Sequence, residues 1–177
     1  MSGVLLGLAL APGAKAQSDV LAPTSACPGQ TRPGASAAVQ ERAMRCLINY
    51  ARTHSGRQAL AASGKLSRSA DGKARDIMRC GRLSHTACGR DFTHWFGRVG
   101  YLRGCFRVGE SVALGTLVAG SPRAIMTTWL RSASARDTLL AQVFREQGVA
   151  TKLGRVGRIP RAHVWVVHLG AHLPGTC

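Results

Sequence analysis

The spacing of apolar positions changes along this chain. Over residues 36–53, Val39, Ala43, Leu47 and Tyr50 recur at helical spacing, and Ser36 stands where a capping hydroxyl belongs. A second helical stripe runs through Ala70, Ala74, Ile77 and Met78. Ser67 is its expected start, and Gly81, the residue type that most easily turns left-handed, its stop. Asp91 can cap a short third helix carrying Phe92, Trp95 and Phe96. Residues 107–115, RVGESVALG, hold strand-like residues between glycines. Ser121-Pro122 places a cap residue before a proline at the first helical position, and Ile125, Trp129 and Leu130 follow on that helix. A further helix is expected over residues 136–147, with Leu139, Leu140, Val143 and Phe144 inward and Gly148 as terminator. Residues 148–170, GVATKLGRVGRIPRAHVWVVHLG, then read as two strands joined by a Gly-rich turn. Helices therefore precede late strands, with helical segments on each side of the strand pattern. That order predicts an α+β domain whose sheet is covered by helices.

The ends of the chain refine this picture. MSGVLLGLALAPGAKAQ reads as an export signal: Val4 to Leu10 form an apolar run too short to cross a bilayer, and Ala14-Lys15-Ala16 gives a small-x-small cleavage pattern. No basic residue precedes the run. Residues 1–16 are thus expected to be a signal peptide, residues 17–37 a Pro-, Ser- and Gly-rich linker, and residues 38–177 one domain. At 177 residues, 45% hydrophobic and 18% charged, the chain has the make-up of a globular protein with a sizeable core. No run reaches the roughly 20 apolar residues of a membrane helix, so no transmembrane segment is expected once the signal is removed.

Cysteine usage agrees with export. Cys27, Cys46, Cys80, Cys88, Cys105 and Cys177 are even in number, follow the expected cut, and include no C-x-x-C pair. Disulfides are the simplest outcome in an oxidising compartment. Cys80 and Cys88 bracket one short loop and are the expected pair; the pairing of the other four stays open. The net charge of +16 comes almost wholly from arginine, spread from Arg32 to Arg161. No Lys/Arg-rich run or aromatic-interleaved basic motif points to a specific nucleic acid. The charge reads as a solvated surface able to hold the protein on an anionic cell-envelope polymer or lipid.

Several spaced motifs then agree with one another. CLINYAR (residues 46–52), LSRSADGKARDIM (66–78), RLSH (82–85), VGES (108–111), WLRSASARDTLL (129–140) and VWVVHLG (164–170) occur in an order that resembles the CAP superfamily. That superfamily comprises cysteine-rich secretory proteins, antigen 5 and pathogenesis-related class 1 proteins, with bacterial SCP-like members. The resemblance implies a three-layer α-β-α sandwich, a central antiparallel sheet flanked by helices, and a cleft holding histidines and acidic residues, sometimes with a divalent metal. His85 takes the first histidine position and Glu110 that of the signature glutamate. Ser111 stands where the superfamily has asparagine, and Ala135 where it has a second histidine. A further histidine position falls on Val164, or on His163 after a one-residue slip, with His168 on the Val164 face.

Two chemistries follow. His85 and Glu110 can form a general base with its orienting carboxylate, or two ligands of an open zinc-type site with His163 or His168 as third ligand. They can equally be a hydrogen-bonded pair that pins a loop. Ser84 and Ser111 flank the pair, and no nucleophile signature accompanies them. The expected function is a secreted, non-enzymatic binding module whose His85, Glu110, His163 and His168 line a cleft for a small apolar ligand, lipid or envelope component. The alternative is a metal-assisted peptide or ester hydrolase centred on His85 and Glu110.

Overall fold

The computed structural model describes residues 20–175. The expected export signal and Cys177 lie outside the described residues.

Helix α1 (Ala37–His54) starts where its hydroxyl cap predicts: Ser36 Oγ accepts from the Val39 amide at 3.4 Å. Its buried face carries Ala43, Met44, Leu47, Ile48 and Ala51. Helix α2 (Gly64–Cys80) begins one turn earlier than Ser67, because Ser63 Oγ accepts from the Leu66 amide. It ends as expected at Gly81, whose φ of 66° is left-handed. Asp91 does not cap a helix directly. Its Oδ1 accepts from the amide and hydroxyl of Thr93, and the short helix α3 (His94–Arg98) follows.

Strand β1 (Ala61–Ala62) is two residues long and has no periodicity to read. Strand β2 (Phe106–Thr116) covers the RVGESVALG segment. Helix α4 (Pro122–Arg131) has its proline in the first turn and Ser121 as cap. Helix α5 (Ala133–Leu140) starts and stops earlier than the expected 136–147. Arg52, fully buried on α1, explains the stop: its guanidinium donates to the carbonyls of Leu139 and Ala141 at 2.7 and 3.0 Å, removing them from further helix. Residues 146–148 join strand β3 (Glu146–Val156) instead. Gly148 therefore does not terminate a helix. It lets α2 approach the strand, since a Cβ there would sit 2.1 Å from the backbone of Leu66 and Ser67. Strand β4 (Ile159–His172) completes the fold.

The sheet order is β1-β3-β4-β2, so β2 is an edge strand. β3, β4 and β2 pair antiparallel, as expected, and the short β1 adds a parallel pair with β3 that makes the sheet mixed. Side chains of β4 alternate between two cores. Trp165, Val167 and Leu169 pack with α1, α4 and α5; Val164 and Val166 pack with Ala70, Ala74 and Ile77 of α2. This is the expected three-layer sandwich, with α2 and α3 on one side of the sheet and α1, α4 and α5 on the other. Each fully buried aliphatic side chain contributes roughly 1.5–3 kcal/mol.

Disulfides staple the periphery. Cys80 pairs with Cys88, as the loop length suggested, and Cys27 pairs with Cys46 of α1. Cys105 is also disulfide-bonded. Residues 20–36, the described part before α1, contain no regular element, yet Ala22 and Cys27 are fully buried in the core beside α1.

Candidate functional site

The CLINYAR segment works as scaffold. Asn49 exchanges hydrogen bonds with the backbone of Leu60, at 3.0 and 2.8 Å, and accepts from Gln147 Nε2 at 3.0 Å. Arg52 ties down the end of α5 as described. These polar groups fix the layer that forms one wall of a groove along the free edge of β2. The loop after α2 forms the other wall, closed by Cys80–Cys88.

His85, on that loop, and Glu110, on β2, meet at 2.6 Å between Nδ1 and Oε1. The other oxygen of Glu110 accepts from His168 Nε2 at 2.8 Å, across the β2–β4 ladder where the two residues are register partners. His168 Nδ1 lies 2.8 Å from Ser69 Oγ on α2. With Glu110 as an acceptor, Nε2 of His168 carries the proton and Nδ1 accepts from the serine hydroxyl. Phe96 stacks on the His168 ring with centroids 4.1 Å apart. Lys73, one turn beyond Ser69, donates to the His85 carbonyl, and its Nζ lies 3.8 Å from Glu110 Oε1. The side chains of Glu110 and His168 are 1% and 0% exposed, whereas that of His85 is 59% exposed. One member of the cluster thus faces solvent.

Burial is the largest influence on Glu110 and pushes its pKa up. The hydrogen bonds from His168 and His85, with the positive charge of Lys73, together outweigh it and hold the carboxyl below its usual range. Glu110 is anionic. His85 is raised by its hydrogen bond to Glu110, against a smaller opposing effect of burial. His168 is lowered, because complete burial outweighs the pull of Glu110, so its ring is neutral. Burial also lowers Lys73, with Glu110 and Asp76 opposing.

The groove opens as two cavities on either side of the His85–Glu110 pair. One, of about 410 Å³, is walled by Phe92, Val108, Thr138 and Phe144. The other, of about 350 Å³, is walled by Leu83, Val112, Leu114, Trp129 and Ala135. Both linings mix apolar and polar side chains, and the exposed Asp137 stands beside the pair as a further charged group in the first.

Similarity to known proteins lies in shape rather than sequence. Neither a protein-family model nor a curated protein matches the sequence. Among solved structures, an extracellular protein containing an SCP domain from Bacillus anthracis superposes with a TM-score of 0.63 at 19% identity, over 75% of this chain and 40% of its own. An outer surface protein from Borrelia burgdorferi gives 0.60 at 18% identity, over 73% of this chain and 90% of its own. This chain has the SCP fold. A cysteine-rich secretory protein from Staphylococcus aureus gives 0.59 at 14% identity, over 77% of this chain and 40% of its own. The chain therefore spans less than half of the Bacillus and Staphylococcus proteins. The fold agrees with the one that the motif resemblance implied.

Within this SCP fold, His85, Glu110 and His168 come together and His163 does not. His163 sits opposite Gly115 on β4, where its ring packs against Gly120. It shares the Trp165 side of the sheet, and burial lowers its pKa. The metal set His85, Glu110 and His163 therefore does not converge. Among the described residues no group of three His, Cys, Asp or Glu side chains is arranged to hold a metal ion. Both oxygens of Glu110 already face imidazoles, and the Lys73 ammonium supplies the positive charge beside them. These residues do not fit a divalent ion. Ser84 Oγ makes a local turn with Thr86, and Ser111 Oγ is buried without a partner.

Ser69, Lys73 and Phe96 were not singled out from sequence. The signal for the first two was present: both fall on the stripe of α2 that also carries Leu66, Ala70, Ala74 and Ile77. A serine and a lysine inside an apolar stripe mark a buried polar network.

Proposed function

We propose that this chain is a secreted SCP-fold binding domain that takes a small amphipathic ligand in the groove along β2. The observation that carries the reading is the division of the cluster. Only the His85 side chain is exposed in the groove, while Glu110 at its floor and His168, Ser69 and Lys73 behind it are buried and bonded to one another. Such a unit holds one imidazole rigidly between two cavities, each with an apolar wall. It can recognise a polar or anionic head while the tail lies along Leu83, Val112, Leu114 and Trp129. The one hydroxyl within this relay, Ser69, is fully buried and closed to a substrate. Export through a signal at residues 1–16 belongs to the same proposal. It is supported by the disulfides and by the extracellular, outer-surface and secretory proteins that share the fold. The arginine-rich surface would hold the domain on an anionic envelope.

A second reading, a hydrolase centred on His85 and Glu110, is favoured by their 2.6 Å contact, which orients an accessible imidazole as a general base requires. One experiment separates the two. Dodecanoate is titrated into the protein and backbone amide shifts are followed by NMR, with p-nitrophenyl esters assayed in parallel. Binding predicts shifts at Ala135, Thr138 and the 81–89 loop that weaken in His85→Ala, with no ester turnover. Turnover lost in both His85→Ala and Glu110→Gln establishes the hydrolase instead. Absence of shifts in the groove overturns the binding proposal.

A further inference from the structure

A cavity larger than either half of the groove lies apart from it. It measures about 620 Å³ and lies where α2, α3 and β3 meet. Five cations line it: Arg75 and Arg79 on α2, Arg90 beyond the disulfide loop, and Lys152 and Arg155 on β3. Asp76 is the carboxylate in the lining, and its side chain is 3% exposed. It accepts from Arg79 at 2.7 Å, from Arg90 at 2.8 Å on both oxygens, and from Trp95 Nε1 at 2.7 Å. The half-buried Asp71 pairs with Arg75 and Lys152 from beside the cavity. Two carboxylates thus face five cations.

The surplus is built in. Asp76 is saturated, yet it anchors two guanidinium groups where one would neutralise it. Those side chains are therefore fixed at their inner ends while Arg79 remains 61% and Arg90 33% exposed. Arg155 falls at the irregularity between Gly154 and Val156, outside the β3–β4 pairing. A bulge of this kind re-aims one side chain, and here the arginine joins the cavity wall. Among the described residues Arg155 has no ion-pair partner. Trp95 forms an apolar wall with Met78, and the Arg75 and Arg90 guanidiniums lie 5.9 and 5.4 Å from its ring. Gly72 makes room for that ring, because a Cβ there would sit 2.4 Å from it.

We propose that this cavity is a phosphate-binding site, which takes a phosphoryl group attached to a small body that packs on Trp95 and Met78. A tetrahedral phosphoryl group presents several charged oxygens and accepts from guanidiniums converging from different directions. The cavity volume suits one phosphorylated small molecule or one lipid headgroup. The proposal does not rest on the groove reading, since none of these residues lines the groove.

The test titrates sn-glycerol 3-phosphate into the full chain by calorimetry, and separately follows co-sedimentation with phosphatidylglycerol vesicles. The site predicts binding of at least one probe, weakened about tenfold or more in Arg79→Ala/Arg155→Ala. Arg32→Ala/Arg103→Ala, which removes the same charge from exposed positions elsewhere, leaves binding unchanged. Free glycerol phosphate quenches tryptophan fluorescence in the wild type but not in Trp95→Phe. Weakened vesicle binding without free-phosphate binding identifies a lipid headgroup as the phosphate source. Binding of neither probe, or equal weakening by the two arginine pairs, overturns the proposal. Dodecanoate shifts in the groove remain in Arg79→Ala/Arg155→Ala, so failure here is distinct from failure there.

Discussion

Lys73 and Glu110 face each other at 3.8 Å with side chains only 2% and 1% exposed. An isolated buried charge is unstable, and a buried pair survives only when its remaining hydrogen bonds are satisfied. Here Glu110 is bonded by two imidazoles and Lys73 by the His85 carbonyl. The pair therefore locks α2, β2 and the 81–89 loop into one unit, with His85 as its outward face.

Breaking this pair should be costly, and its repair partial. Lys73→Met leaves the Glu110 carboxylate buried without its cation and is expected to cost about 3 kcal/mol or more. Lys73→Met combined with Glu110→Gln leaves neither charge stranded, so it should cost less than the sum of the single changes. Urea-unfolding midpoints of the four proteins give the cycle, and strict additivity would show that the two charges do not interact.

The histidines make opposite contributions to stability as pH changes. His85 has a folded pKa raised above 6.5 by Glu110. Its pairing therefore stabilises fully below pH 6.5 and is lost as pH rises through the folded value. His168 is lowered from 6.5 by burial. It therefore destabilises as pH falls below 6.5, where the unfolded chain takes up a proton that the folded chain refuses. Glu110 lies below 4.5, so its contribution disappears in stronger acid. The stability gap between wild type and His85→Gln should shrink between about pH 6 and about pH 8. Chemical-denaturation midpoints at both values check the sign.

The Cys80–Cys88 staple closes a short loop, with a sequence separation of 8. Replacing both residues with serine is expected to lose about 2–3 kcal/mol, which lowers Tm by about 5–10 °C in a chain of this size. Calorimetry reads the shift. Hydrogen exchange should rise first in the 81–89 loop that carries His85.

Gly148 is a packing position. Gly148→Ala drives a methyl into the backbone of Leu66 and Ser67 at 2.1 Å and is expected to cost about 2 kcal/mol or more. The Tm of the purified variant is the measurement, and an unchanged Tm would mean that α2 does not touch β3 there.

Much of the fold could be read from residue order because local signals matched the tertiary structure. Ser36, Gly81 and Ser121-Pro122 mark true helix ends, and the late strand-like run with its Gly-rich turn marks β3 and β4. The errors fall where distant groups decide. Arg52 ends α5 from the far side of the core, and Gly148 extends β3 because α2 must pass close to it. The two residues of β1 are too few to show any pattern. In the site, His85 and Glu110 were visible through motif order. His168 and His163 are five residues apart on one strand, and only the β2–β4 register decides which of them meets Glu110. Lys73 and Ser69 were hidden because a polar residue on a helix is ordinarily solvated; only their place in the apolar stripe of α2 gave them away.

The central claim is an anionic Glu110 held between a buried neutral imidazole and an accessible basic one. Long-range ¹H–¹⁵N NMR across a pH series tests it most directly, because it reports the protonation and tautomer of each histidine. The account predicts that His168 remains a neutral Nε2–H tautomer throughout the neutral range, while His85 titrates above 6.5. A His168 ring that titrates with solvent, or a His85 ring that titrates at or below the ordinary histidine value, would contradict it.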